Sequence, residues 1–130
     1  MPLSQIFLKT GKPSSFRRAL MNNVYKALRD TFNVPEGDFF VTVTEHDDAG
    51  FAFGPDYLGI ERTGELVMIR ITANDTRSRA QKLALYKRIV ELLTTELGLR
   101  SEDVLICLVE VAPENWSLGN GVAQYAPLST

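Results

Sequence analysis

The sequence predicts an α/β fold: two tandem βαβ units sharing one four-stranded mixed sheet, with two helices on one face. Three observations predict it. Apolar residues recur at helical spacing as Phe16, Leu20, Val24, Leu28 and Phe32, and again as Leu83, Tyr86, Val90, Leu93 and Leu97. Each stripe lies between β-branched, strand-like segments. The two halves also match each other at a constant offset of 65 residues.

Taken in order, residues 3–8 read as a short strand, with Pro2 tolerated at its start because no ladder hydrogen bond is lost there. Ser14 and Ser15, behind Pro13, supply a helix start. The turn-like Val34-Pro35-Glu36-Gly37-Asp38 leads into FFVTVTEH, a second strand beginning at Phe39. Residues 50–59 read as a turn with short extended pieces. LVMIRITA (66–73) is the third strand, and Gly98 stops the second helix. VLICLVEV (104–111) is the last long strand, and the tail after it is turn-rich, with GVAQY read as extended.

The repeat carries the topology. DFFVTVTE (38–45) superposes on DVLICLVE (103–110), residues 3–8 fall on 68–73, and Phe51, Phe53 and Gly54 meet Trp116, Leu118 and Gly119. The helices match with a slightly smaller offset, Tyr25-Lys26 on Tyr86-Lys87. Right-handed crossovers of this kind set parallel strands side by side and put both helices on one face. The opposite face is then bare, and residues 113–130 are too short to cover it, so oligomerisation is expected.

A chain of 130 residues suits a single domain, here 1–130 with repeats 2–65 and 66–130. The net charge of −2 argues against nucleic acid or an anionic membrane as the main partner. Charge is unevenly spread: residues 1–29 hold Lys9, Lys12, Arg17, Arg18, Lys26 and Arg29 and no acid, while residues 30–65 are acidic with Arg62 as the sole base. Contacts between copies could juxtapose these halves. Cys107 is the single cysteine, which excludes a disulfide framework; its apolar surroundings predict a buried packing thiol. No apolar run approaches the roughly 18 residues of a membrane span, and no signal peptide is evident, so a cytoplasmic location is expected.

Familiar catalytic patterns are absent: no P-loop, HExxH, CxxC or GxSxG. Gly119-Asn120-Gly121 reads as a turn, and His46, the single histidine, as a solvated residue at a strand end. The amino terminus remains. If Met1 is removed, which a small second residue permits, Pro2 becomes a ring-held secondary amine. An α-amino group titrates near 8 in isolation. Its pocket would decide whether it serves as acid or base.

The initial Met-Pro, the duplicated unit and the tail element resemble the tautomerase superfamily, whose members act through an amino-terminal proline. VPEGDFF, TRSRAQKLALYK and NWSLGNGVAQY are similar to stretches of the malonate semialdehyde decarboxylase group within it. The resemblance runs over essentially the whole chain. It implies a homotrimer, no cofactor or metal, and a small keto acid as substrate.

Residue by residue, the resemblance implies that Pro2 is the catalytic amine and that Asp38, before the second strand, assists it. The other reading of Asp38 is a turn residue, which suits its repeat mate Asp103. Two arginines that hold a carboxylate or polarise a carbonyl are expected near the second helix. Arg77 falls on one of those positions. The other falls on Asp75, a departure from the pattern that could equally be a helix cap, and Arg79 is a partial substitute. Trp116 and Leu118 match hydrophobic wall residues, though core packing would explain them as well. The reaction classes implied are decarboxylation of a β-keto acid, keto–enol tautomerisation and hydration. The contrasting possibility is a ferredoxin-like module that senses a small molecule or docks a partner, in which Pro2 has no role.

Overall fold

The computed structural model describes residues 1–126. Its main elements are β1 (Pro2–Lys9), α1 (Ser14–Phe32), β2 (Val41–His46), β3 (Val67–Asn74), α2 (Arg79–Leu97) and β4 (Val104–Val111). The four strands form one sheet in the order β2-β1-β3-β4. β1 is parallel to β2, β3 is parallel to β4, and β1 and β3 run antiparallel at the centre. The α/β fold with a four-stranded mixed sheet and two helices is therefore as the sequence predicts.

The register is the same in the two units. Ser4 lies opposite Val41 and Val67 opposite Val104, a separation of 37 residues in both units. Gln5 and Arg70, repeat mates, face each other across the central pair, and Arg70 Nε donates to Gln5 Oε1 at 3.2 Å. They mark the local two-fold axis relating the units.

Alternation along the strands puts Ile6, Leu8, Ile69 and Ile71 against Leu20, Val24 and Leu28 of α1 and Leu85, Ile89 and Leu93 of α2. The stripe expected on α2 is rotated: Leu83 is 51% exposed, while Leu85 and Ile89 are buried. A leucine-rich helix offers more than one apolar face, and the sheet together with α1 selects among them. α2 starts with a capping box in which Ser78 Oγ accepts from the Gln81 amide and Gln81 Oε1 accepts from the Ser78 amide. Asp75, two residues before Arg77, is therefore not the cap. α1 begins behind Pro13 without a side-chain cap; neither Ser14 nor Ser15 supplies one.

Other expectations are corrected as well. β2 begins at Val41 rather than Phe39, although Phe40 O still accepts from the Ser4 amide. Residues 119–126 form turns, and Gln124 bridges the Leu118 amide and the Gly119 carbonyl in place of an extended GVAQY. Cys107 is exposed, because Ile106 and Leu108 take the inward positions of β4. The basic and acidic halves pair within the chain, through Lys9–Asp48, Lys12–Glu65 and Arg17–Glu45. No helix among the described residues is long and apolar enough to cross a membrane.

The repeat mates Asp38 and Asp103 have diverged. Asp103 is fully buried and accepts from Thr63 N and Thr63 Oγ1, both at 2.7 Å. It ties the chain leading into β3 to the start of β4. Asp103→Ala is expected to lower the unfolding free energy by about 3 kcal/mol, because it strands the Thr63 donors and opens a buried gap. Urea denaturation measures this.

Candidate active site

The topology gathers the predicted residues at one end of the sheet. Pro2 opens β1 opposite Ala73, near the end of β3, and Ala73 in turn lies opposite Glu110, near the end of β4. The segments that follow those two ends carry Arg77 and Trp116. Asp38 arrives from the other side, in the loop before β2, which runs alongside β1.

Pro2 is buried on the helix-facing side of β1. The amino-terminal ammonium of Met1 lies 3.4 Å from Asp38 Oδ2, with the two side chains only 6% and 12% exposed. The second carboxylate oxygen, Oδ1, is buried without a hydrogen-bond partner. Where the second unit sets Thr63 on its aspartate, the first sets the chain's amine. A cavity of about 10 Å³, bordered by Pro2, Ser4, Tyr25 and Asp38, has room for roughly one water.

Arg77 lies just ahead of α2 and is half-buried. Its Nη2 donates to Phe32 O at 3.2 Å, and its Cζ sits 4.9 Å from the centroid of the Phe32 ring. One donor of the guanidinium is thus used to hold the end of α1, and the planar fork retains others. Arg79, the first residue of α2, is exposed, as is Asp75. Trp116 is half-buried with its indole Nε1 unpartnered, and Leu118 is 39% exposed.

Tyr125 joins this cluster unforeseen. Burial pushes its hydroxyl above the usual range, the Asp38 charge adds to that, and Arg77 opposes it. The phenol shares the surroundings of both groups and remains a neutral hydrogen-bond donor at neutral pH. The available signal was a polar ring in the tail at the position where the first unit has Ile60. Asn74, at the end of β3, also has a buried and unpartnered Oδ1. Among the described residues no group of three or more His, Cys, Asp or Glu side chains is placed to hold a metal ion.

A family model described as "Tautomerase enzyme" matches residues 38–119, a span that begins at Asp38 and includes Arg77, Arg79, Trp116 and Leu118. The chain is 39% identical to the probable tautomerase YusQ of Bacillus subtilis (strain 168), over 95% of this chain and 98% of that protein. This chain belongs to the tautomerase family. Among solved structures, this tautomerase-family chain is similar to malonate semialdehyde decarboxylase, with a TM-score of 0.89 and 28% identity over 95% of each chain. A second malonate semialdehyde decarboxylase gives a TM-score of 0.88 and 32% identity, over 95% of this chain and 93% of that one. The fold extends to a fused 4-OT symmetric trimer, with a TM-score of 0.79 and 17% identity over 95% of this chain and 97% of that one.

Proposed function

We propose that this protein is an amino-terminal-proline enzyme that acts on a small keto acid, with decarboxylation of a β-keto acid of the malonate semialdehyde type as the leading reaction. The observation that carries the reading is the buried pair of amino-terminal ammonium and Asp38 carboxylate beside Pro2. The Met1 ammonium stands in for the Pro2 amine that removal of Met1 would create. Loss of Met1 would also vacate the space in front of Asp38 and open the small cavity to a substrate.

The ion pair with Asp38 sets an ammonium at this position, an arrangement that suits acid or electrostatic chemistry. In the proposed step the protonated Pro2 nitrogen and Arg77 face the substrate's carbonyl oxygen. The bond between Cα and the carboxylate breaks, its electron pair forms the enolate, and negative charge develops on that oxygen as CO₂ leaves. A proton then returns to carbon, giving the aldehyde. Trp116 and Leu118 would wall the site from water, and Arg79 would attract the anion from the surface. Asp75 leaves one cation fewer than two arginines would supply, so Arg77 carries most of the recognition of negative charge.

A second reading, hydration of an unsaturated acid, is favoured by Asp38 Oδ1, a buried acceptor with no partner that could hold and activate a water. We further propose a homotrimer in which the bare sheet face, where Leu3, Leu105 and Val109 are all more than a third exposed, meets other copies.

Intact mass should show a chain lacking Met1. The processed protein should release CO₂ and acetaldehyde from malonate semialdehyde faster than it ketonises phenylenolpyruvate. Faster ketonisation would replace the decarboxylase by a tautomerase, and no turnover of either, or retained Met1, would overturn the proline chemistry.

A further inference from the structure

Asp38 differs from its repeat mate in what holds it. Asp103 is fixed by hydrogen bonds to its own carboxylate. Asp38 has one oxygen facing the terminal amine and the other unpartnered, so its direction is set by the backbone on either side. That backbone is a tight, irregular turn: the Asp38 amide donates to Pro35 O at 3.2 Å, the Phe39 amide donates to Gly37 O at 2.9 Å, and Gly37 has a φ of 91°. Only glycine adopts such a conformation without strain.

Tyr25, on the face of α1 toward this turn, touches both neighbours of Asp38. Its hydroxyl accepts from the Gly37 amide at 3.0 Å, and its ring packs on Phe39 with centroids 4.4 Å apart and planes tilted by 35°. Arg29 is placed over the same ring, its Cζ 5.8 Å from the centroid. The side chain also borders the cavity next to Pro2.

We propose that Tyr25 is a positioning residue: it clamps the residues before and after Asp38 and so aims the carboxylate at the amino-terminal nitrogen. The proposal rests on the function above only for its effect on turnover; the geometry it claims can be tested without substrate. Leaving the carboxylate free for chemistry removes the bonds that fix Asp103, and the clamp on its flanks takes their place. The amine faces Asp38, so the variants keep that side chain except where Asp38 itself is changed.

The test follows acylation of the amino-terminal amine by acetic anhydride at neutral pH, read by peptide mass. Asp38→Asn should raise the acylation rate about tenfold by removing the ion pair that occupies the amine. Tyr25→Phe, which keeps the ring and removes the hydroxyl, should raise it about threefold, and Tyr86→Phe, the repeat mate, should leave it unchanged. In turnover, Tyr25→Phe should lower kcat about tenfold with KM nearly unchanged, since misdirection of a carboxylate affects the chemical step. An acylation rate for Tyr25→Phe equal to that of the parent overturns the proposal, as does an Asp38→Asn rate equal to the parent's. A parent with no turnover on any keto acid defeats the functional reading alone, because acylation still decides the role of Tyr25.

Discussion

Pro2→Ala is expected to lower kcat for malonate semialdehyde about 100-fold or more, within the range associated with a positioned acid or base. Alanine at position 2 still permits loss of Met1, so the variant keeps a terminal amine. It loses the ring that makes the nitrogen a secondary amine and fixes the directions of its N–H bonds at the head of β1. The primary amine rotates about its N–Cα bond, so its N–H directions are no longer fixed toward the developing oxyanion. Most of the loss should appear in kcat, with KM changing by only a few-fold, because the interaction strengthens as charge builds in the transition state. Steady-state kinetics on protein of verified mass measures the effect. Unchanged turnover with Met1 cleanly removed would return Pro2 to the role of a strand-start residue.

The second large effect is expected at Arg77. Arg77→Ala should reduce kcat/KM for the β-keto acid about 1,000-fold, equivalent to about 4 kcal/mol, with a marked rise in KM. With Asp75 in place of a second cation and Arg79 exposed at the helix start, nothing nearby repeats the half-buried guanidinium. Lysine should rescue little, since a point charge replaces a planar fork that is stacked on Phe32. Removing the bond to Phe32 O should cost about 1 kcal/mol of stability, so a thermal melt separates local loosening from lost recognition. A variant that keeps kcat/KM would confine Arg77 to holding the end of α1.

Periodicity made the repeated units legible because burial of one sheet face imposes alternation on strands, and burial of one helix stripe imposes a period near 3.6. The same signal misjudged α2, where leucines at 83, 85, 92, 93 and 97 allow several faces and only the packed neighbours select one. It also misjudged Cys107, whose apolar neighbours in VLICLVEV hide which parity points inward. Tyr25 and Tyr125 escaped for a different reason. Their partners lie 12 residues away in one case and across the fold in the other, and no local pattern distinguishes a tyrosine in contact with a functional loop from one in a core.

By itself, the sequence determined two βαβ units, their shared helix face and the pairing of residues 3–8 with 68–73 as repeat mates, since those follow from spacing and duplication. Tertiary structure decided what surrounds the amino terminus. It set the chain's amine against Asp38 in a buried site, left one carboxylate oxygen unpaired, and tied the matching Asp103 to Thr63. The physical reason is that spacing is a property of the chain, whereas whether a carboxylate is satisfied depends on what arrives next to it from elsewhere in the fold.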